Sequence, residues 1–203
     1  MTGSGALSAV LEDARRLGFL GPEPVERHIK HAETWASLLT PGSFLDLGSG
    51  GGIPGLVLAE LWPASSATLL DSQLRRTAWL RTAVARLGLE DRIQVVEGRA
   101  EDLAHDPALR GVFDIVVSRS FGRPSASAEC GSAYVRVGGC LSVSEPPNAG
   151  PERWPELELE RLGLSSARQV VREGATFVIL PKSSVSPDKF PRRRNLPLRS
   201  PLW

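Results

Sequence analysis

The chain has 203 residues, of which 41% are hydrophobic and 23% charged, proportions typical of a globular domain with a core of its own. No apolar run approaches the roughly 20 residues that cross a bilayer, and the N-terminus lacks the basic start and apolar block of a secretory signal. We therefore expect a cytoplasmic protein without a membrane segment. Cys130 and Cys140 are the only cysteines, and we expect them to be reduced thiols that build no metal site by themselves.

The spacing of apolar residues predicts helices that alternate with strands. Helices are expected over residues 7–17, 25–39, 54–62, 75–89, 125–137 and 152–164, with Gly138 and Gly139 closing the fifth and Pro155 in the first turn of the sixth. Strands are expected over residues 43–47, 66–72, 92–98, 112–120, 140–145, 167–173 and 176–182.

This order of elements predicts an α/β fold. Strands that alternate with helices run parallel and are joined by right-handed crossovers, whereas the last two strands, separated by "GA", form an antiparallel hairpin. We expect a Rossmann-like, mostly parallel seven-stranded sheet with helices on both faces. It would occupy residues 41–181, after N-terminal helices (1–40) and before a C-terminal tail (182–203).

The tail is the basic part of the chain. Residues 181–203 carry a net charge of +5, while the whole chain carries +1, so the rest is mildly acidic. Its prolines are expected to keep it extended, and Phe190 and Trp203 could stack on unpaired bases. It either neutralises RNA phosphates in a salt-sensitive way or is a disordered, solubilising segment.

A glycine-rich turn follows the first predicted strand. Five of the thirteen residues of "SFLDLGSGGGIPG" (43–55) are glycine. In doubly wound sheets ligands bind at the carboxyl ends of the strands, and the first strand-to-helix turn is the usual place. The alternative is a tight turn that binds nothing.

Two acidic positions sharpen the prediction of a ligand site. Asp71 ends the second strand 23 residues after Gly48, near the offset at which an acidic residue meets ribose hydroxyls; it could instead cap the next helix. "GRAED" (98–102) follows the third strand, where the backbone of Ala100 and the carboxylate of Glu101 could meet an adenine. Alone, that stretch is more often a solvated helix start.

Other motifs narrow the class of ligand. The chain contains no GxxxxGK[ST] and therefore no P-loop. The dinucleotide pattern G-x-G-x-x-G fits only loosely, because Ile53 stands where the third glycine would be. Asp46, two residues before Gly48, is instead typical of S-adenosylmethionine-dependent methyltransferases.

Six stretches together resemble the glucose-inhibited division protein B family, methyltransferases that act on guanine N7 in bacterial small-subunit ribosomal RNA. In chain order these are "RHI", "FLDLGSGGGIPG", "LLDSQLRR", "GRAEDL", "FDIVVSRSF" and "KFPRRRNLPLRSPL". They extend from Arg27 to Leu202. The resemblance implies a class I methyltransferase fold, S-adenosylmethionine as cofactor and ribosomal RNA or the small ribosomal subunit as partner. A monomer without metal is expected.

The resemblance also implies site residues. Arg119, in "SRSF", corresponds to the family's arginine near cofactor and substrate, and is expected to be the catalytic residue, with a surface ion pair as the alternative. The expected cofactor-binding residues are Asp46, Gly48, Gly50, Gly52, Ile53, Asp71, Ser72, Ala100, Glu101 and Arg119. The expected RNA-binding residues are His28, Arg123, Lys189, Arg192, Arg193, Arg194 and Arg199.

The chain departs from the family after the fifth strand, where "SVSEPPN" replaces a short lysine-containing stretch and Glu145 lies near the lysine's place. An acid there would reverse the local charge, and the asparagine motif near the family's N-terminus is also missing. Two alternatives follow: a paralogous methyltransferase for another RNA or a small molecule, or a non-catalytic module that binds cofactor and RNA.

Methylation of guanine N7 is expected to require few catalytic groups from the protein. N7 has a free lone pair and no proton, so no general base is required, and catalysis would rest on positioning and electrostatics. This agrees with a chain that shows no recognisable base constellation. A cysteine nucleophile is not favoured, because Cys130 and Cys140 are expected at packed positions within a helix and at the start of a strand.

Overall fold

The computed structural model describes residues 3–203, with side chains from residue 5 onward. The chain divides into two compact units, Met1–Gly98 and Arg99–Trp203, and each has its own part of the sheet. The prediction of three parts, with boundaries after residues 40 and 181, remains a prediction.

The described residues of the first unit form three strands and four helices. In chain order the elements are α1 (Gly3–Arg16), α2 (Val25–Ala36), β1 (Phe44–Leu47), α3 (Gly55–Leu61), β2 (Ala67–Asp71), α4 (Leu74–Leu87) and β3 (Ile93–Glu97). The strands lie in the order β3-β2-β1 and are all parallel. Every residue of β1 and β2 is buried, which explains why both strands are mostly apolar and do not alternate between apolar and polar residues.

The second unit contains four strands. Its elements are α5 (Ala100–Leu103), β4 (Phe113–Arg119), α6 (Pro124–Ser132), β5 (Val135–Glu145), a 3-10 turn (Pro151–Arg153), α7 (Glu156–Glu160), β6 (Arg168–Arg172), β7 (Ala175–Pro181) and α8 (Leu196–Arg199). The strands lie in the order β4-β5-β7-β6. β4 and β5 are parallel, whereas β7 is antiparallel to both β5 and β6.

The predicted fold class is confirmed: the seven strands form a mixed, mostly parallel sheet with helices, and the antiparallel strands are C-terminal. The hairpin between β6 and β7 turns at Glu173 and Gly174, whose φ angles of 50° and 76° are both positive. Positive φ at both central residues matches the right-handed twist of the paired strands.

Three local predictions are wrong. The helix expected over 125–137 ends at Ser132, and β5 begins at Val135 because Val135 pairs with Phe113 of β4. The helix expected over 152–164 is broken at Pro155, which precedes α7 and cannot donate a helical hydrogen bond. The tail is not extended throughout, since Leu196–Arg199 forms one helical turn.

No helix among the described residues is long and apolar enough to cross a membrane.

Candidate active site

The glycine turn joins the carboxyl end of β1 to α3. The backbone N–H groups of Gly48 and Ser49 both donate to the carbonyl oxygen of Leu70, each at 2.9 Å. Leu70 precedes Asp71 at the end of β2, so these bonds bring the turn to the point where the predicted ribose acceptor lies. The turn then closes on itself through Gly52 N, which donates to Ser49 O at 2.8 Å.

Asp71 is tied to this turn by its side chain. Its Oδ2 accepts a hydrogen bond from Gly50 N at 3.0 Å, and its Oδ1 accepts one from Gln73 N at 2.9 Å. Arg76 Nη1 lies 3.6 Å from Oδ2, and Asp71 is 3% exposed. The bond to Gln73 N is an Asx-type turn that precedes α4. The alternative that Asp71 caps this helix is wrong, because the N-cap residue is Gln73 and no side-chain bond caps the helix.

The backbone conformation of Gly50 explains why the turn has a glycine at this position. Its φ of +56° belongs to the left-handed region, where side chains are rarely tolerated. A Cβ atom on Gly50 would meet nothing nearer than the carbonyl oxygens of Gly48 and Phe19 at 3.8 Å. These are ordinary van der Waals distances, so the positive φ, and not a lack of space, favours glycine at position 50.

Asp46 holds the other end of the turn. It is 1% exposed, and its Oδ2 accepts from Gly55 N at 3.0 Å. A Cβ atom on Gly55 would lie 2.5 Å from that oxygen and 2.5 Å from Leu69 Cδ2, so only glycine permits this approach. Of the other predicted residues in the turn and beside it, Ile53 is buried and Ser72 is exposed.

In the second unit, Ala100 and Glu101 begin α5. The carbonyl oxygen of Ala100 accepts from Tyr134 Oη at 2.6 Å, and burial raises the pKa of Tyr134, which therefore stays protonated as a donor. Glu101 is 2% exposed. Within the described part of the chain its Oε1 accepts from Arg99 Nε at 3.0 Å and from Asn195 N at 2.9 Å, whereas its Oε2 has no donor.

Arg119 is the last residue of β4 and is half-buried. The next residue, Ser120, has a φ of 56°, a backbone conformation that costs energy in a non-glycine residue and is enriched at functional sites. Arg123 follows as the exposed N-cap of α6. The predicted catalytic residue thus lies at the carboxyl end of its strand, where α/β enzymes bind their ligands.

Glu145 ends the neighbouring strand and is neutralised there. Ser144 of β5 pairs with Arg119 of β4, and Glu145 comes next along the strand. Its Oε2 accepts from Arg153 Nε at 2.5 Å, with 4% of the Glu145 side chain and 37% of the Arg153 side chain exposed. The negative charge of Glu145 is therefore neutralised at this edge of the sheet by the guanidinium group of Arg153.

The tail is held against the rest of the second unit by hydrogen bonds and burial. Arg110 donates to four carbonyl oxygens, three of them in the tail, at 2.9–3.2 Å. Phe190 is 3% exposed, so the prediction that it stacks on bases is wrong. Trp203 is half-buried, and its Nε1 donates to Arg153 O at 2.9 Å.

Two basic residues of the tail are structural. Arg192 is bound to Glu129, which is 0% exposed, through its N at 2.7 Å, Nε at 3.0 Å and Nη2 at 2.8 Å. Lys182 is 3% exposed and donates to Leu162 O at 2.8 Å. Desolvation by burial lowers the pKa of Lys182 to about 7, and the charge of Arg110 adds to the shift.

The remaining predicted RNA-binding residues differ in exposure. His28 lies on α2 and is 5% exposed. The exposed cations are Arg123, Lys189, Arg193, Arg194 and Arg199.

Neither thiol is suited to be a nucleophile. Burial raises the pKa of Cys130 well above its ordinary value, and the charges of Glu101 and Glu129 raise it further. Burial also raises the pKa of Cys140. A thiol with a raised pKa is a poor source of thiolate. The described residues contain no group of three or more His, Cys, Asp or Glu side chains that could hold a metal ion.

Several site residues were not predicted from the sequence: Arg99, Asn195, Arg110, Tyr134 and Arg153. Arg99 lies inside "GRAEDL", and Asn195 lies inside the tail motif "KFPRRRNLPLRSPL". Both motifs were used for the resemblance, so these two residues could have been named as candidates. The contacts between them join residues that are far apart in the chain, and no local pattern predicts such contacts.

Solved structures with similar folds include methyltransferases in complex with AdoMet or SAH. An O-methyltransferase from Bacillus cereus in complex with SAH is 18% identical, with a TM-score of 0.61 over 88% of this chain and 91% of the other. A T. thermophilus 16S rRNA N2 methyltransferase in complex with AdoMet and guanosine is 22% identical, with a TM-score of 0.52 over 78% of this chain and 40% of the other. The fold is therefore that of class I methyltransferases.

The sequence comparisons specify the family. The family "GidB: rRNA small subunit methyltransferase G" matches residues 21–144. Proteins named "Ribosomal RNA small subunit methyltransferase G" are 36% identical in Moorella thermoacetica, covering 78% of this chain and 68% of the relative, and 32% identical in Streptococcus gordonii, covering 78% and 69%. The chain belongs to the GidB family of small-subunit rRNA methyltransferases.

Proposed function

We propose that this protein transfers a methyl group from S-adenosylmethionine to N7 of a guanine in small-subunit (16S) ribosomal RNA. The observation that carries the proposal is the family match over residues 21–144, on a chain in which Asp71 fixes the glycine turn at the carboxyl ends of β1 and β2. Ribosomal RNA as substrate implies action in the cytoplasm. We expect the protein to act as a monomer.

The residues present suit S-adenosylmethionine. Asp71 still has acceptor capacity for ribose hydroxyls, because a carboxylate offers about four lone-pair sites and two backbone amides use one each. In the second unit, Glu101 presents an Oε2 without a donor among the described residues. That oxygen can accept a hydrogen bond from an adenine amino group.

The proposed roles divide between contact and positioning. Gly48, Gly50, Gly52 and Ile53 contact the cofactor through the turn, with Ser72 beside Asp71. Asp46 has a positioning role, because its carboxylate holds Gly55 N at the start of α3. Ala100 and Glu101 bind the adenine, and the Ala100 carbonyl is kept in place by Tyr134.

When bound, S-adenosylmethionine supplies a methyl group on a positive sulfur that leaves as a neutral thioether. The protein has no proton to remove, because guanine N7 has a free lone pair. Its task is to orient the base in line with the methyl group, and orientation alone can supply a large part of the barrier reduction. Arg119, with five N–H donors and a permanent charge, is proposed to hold the substrate there.

RNA binding is assigned to the predicted RNA-binding residues that are exposed, namely Arg123, Lys189, Arg193, Arg194 and Arg199. Each can neutralise a phosphate independently of sequence. Arg192 contributes indirectly, because its guanidinium is already bound to Glu129.

The test uses tritiated S-adenosylmethionine and small ribosomal subunits from a strain that lacks this gene. We expect label in the RNA of those subunits and none in subunits from the parent strain, which are already methylated. Arg119→Gln is the matched variant and should lose most of the incorporation even at a saturating concentration of S-adenosylmethionine. Absence of label with the wild-type protein, despite measured cofactor binding, would overturn the proposal.

A further inference from the structure

The C-terminal tail touches the residue proposed to bind the adenine. Asn195 N donates to Glu101 Oε1 at 2.9 Å, and Arg99 Nε donates to the same oxygen at 3.0 Å. Arg99 Nη2 also bonds Asn195 Oδ1. These three residues form a closed triangle, so the orientation of the Glu101 carboxylate depends on the position of the tail.

The tail is firmly placed on both sides of this contact. On the N-terminal side, Arg192 makes charge-assisted bonds to the fully buried Glu129, and such bonds are about twice as strong as neutral ones. On the C-terminal side, Pro197 is buried at the start of α8. The Asn195 amide therefore belongs to an anchored segment.

The backbone at the contact is unusual. Arg194 and Asn195 have φ angles of 60° and 63°, so two consecutive non-glycine residues occupy the left-handed region. Residues held in this way cost energy and cluster at functional sites and switches. The conformation brings the Asn195 amide to Glu101 while Arg193 and Arg194 remain exposed.

We infer that Asn195 is a positioning residue that holds Glu101 for the cofactor, and that this contact couples RNA binding to cofactor binding. The inference rests on the proposed function. Arg192 and Pro197 anchor the two ends of this segment, whereas Arg194 and Asn195 between them are held in a backbone conformation that costs energy. RNA phosphates on Arg193 and Arg194 would stabilise that conformation, and with it the orientation of the Glu101 carboxylate. By thermodynamic reciprocity, bound cofactor must then strengthen RNA binding by the same factor.

The first experiment measures the dissociation constant of S-adenosylmethionine by calorimetry on the full-length protein. Asn195→Gly keeps the N–H and tolerates positive φ, and should stay within about threefold of wild type, since only the bond to Arg99 is removed. Asn195→Val should bind about tenfold more weakly, because a β-branched residue resists positive φ and displaces the amide.

Glu173→Val is the matched control. Glu173 has a φ of 50° at the tip of the β6–β7 hairpin, so this substitution carries a similar backbone penalty away from Glu101. It should lower the melting temperature but leave the cofactor dissociation constant unchanged. If Asn195→Val does not fold, Arg99→Met provides the second variant, and several-fold weaker cofactor binding is expected from the loss of one charged donor.

The second readout is the coupling itself. Deproteinised small-subunit RNA should lower the wild-type cofactor dissociation constant at least about fivefold, the lower end of usual couplings, and should have no such effect on Asn195→Val. Equal cofactor affinity in Asn195→Val and Glu173→Val, or the same RNA effect in both, would overturn the inference and leave the proposed function standing. A wild-type protein that binds no cofactor would overturn both.

Discussion

At the scale of single residues, Asp71 connects two turns that have to be held together. Its two oxygens accept from Gly50 N and Gln73 N, so one buried carboxylate orders the glycine turn and the start of α4. Asp71→Asn keeps the shape but places an NH2 group against one of these N–H donors. We expect cofactor affinity to fall at least about tenfold, because a buried donor is left unsatisfied. Calorimetry with S-adenosylhomocysteine measures this.

Asp114→Asn is the control for that substitution. Asp114 is at the beginning of β4 and pairs with Arg136 at 2.5 Å, with 32% of its side chain exposed. Loss of this half-exposed pair should change stability slightly and cofactor affinity not at all. Equal loss of affinity in both variants would mean that Asp71 acts only through general stability.

Lys182 makes stability depend on pH in a predictable direction. Its pKa in the folded protein is about 7, below the ordinary value of 10.5, so between these values the unfolded chain binds a proton that the folded chain does not. Stability contributed by this group therefore rises with pH from 7 towards 10.5. Below pH 7 the full cost of burying a charge is present.

The measurement is urea unfolding of wild type and Lys182→Met at pH 7 and pH 9. The free energy of unfolding of the variant minus that of wild type should be larger at pH 7 than at pH 9, by on the order of 2 kcal/mol. The pKa values of Cys130 and Tyr134 are raised and act in the opposite direction, but they are common to both proteins and cancel. A difference independent of pH would refute the buried-lysine account. Val185→Ala, at an exposed position of the tail without a titratable side chain, should show none.

At the scale of elements, the carboxyl end of β5 carries an ion pair between the buried Glu145 and the half-exposed Arg153. Removing one partner of a buried pair leaves an uncompensated charge. Arg153→Met should therefore destabilise the protein by about 1–3 kcal/mol, less than for a fully buried pair because Arg153 meets solvent.

The double variant Glu145→Gln, Arg153→Met separates charge from packing. It should recover part of the stability that Arg153→Met removes, since the buried group is then neutral. Chemical denaturation of the four proteins gives the coupling energy. If the effects of the two substitutions on the free energy of unfolding are additive, the hydrogen bond between Arg153 Nε and Glu145 Oε2 contributes no coupling energy.

The tail is the second element with a measurable contribution. Arg193→Gln with Arg194→Gln should weaken RNA binding and reduce the slope of log affinity against log salt by about 0.7–0.9 for each phosphate that the protein no longer neutralises. Arg172→Gln, an exposed arginine on β6, is the control and should leave the slope unchanged. An unaltered slope in the double variant would show that these two arginines do not bind the RNA.

The elements could be predicted from the sequence where their pattern is local. The β6–β7 hairpin follows from two β-rich runs around a glycine, and the glycine turn follows from its composition. The boundary between α6 and β5 could not be predicted, because "YVRV" suits either structure and its pairing with β4 decides. Likewise, the Pro-rich tail gave no sign of α8, whose backbone bond from Arg199 N to Asn195 O forms within a docked segment.

At the scale of the whole molecule, the sequence predicted the fold class, because the order of short apolar segments and turns encodes it, whereas the roles assigned to the site residues stay predictions. The sequence did not predict that part of the basic tail is buried. Arg192 and Lys182 are buried anchors, whereas Arg193 and Arg194 are free to meet solvent. That division depends on Glu129 and Leu162, which are distant in the chain and carry no motif.

The central claim is methylation of guanine N7, and chain cleavage specific for N7-methylguanine tests it most directly. Ribosomal RNA from small subunits of a strain lacking this gene would be cleaved before and after incubation with the protein and S-adenosylmethionine. We predict one new cleavage, at a single guanine, that is absent with Arg119→Gln. No new cleavage from a protein that binds the cofactor would contradict the account.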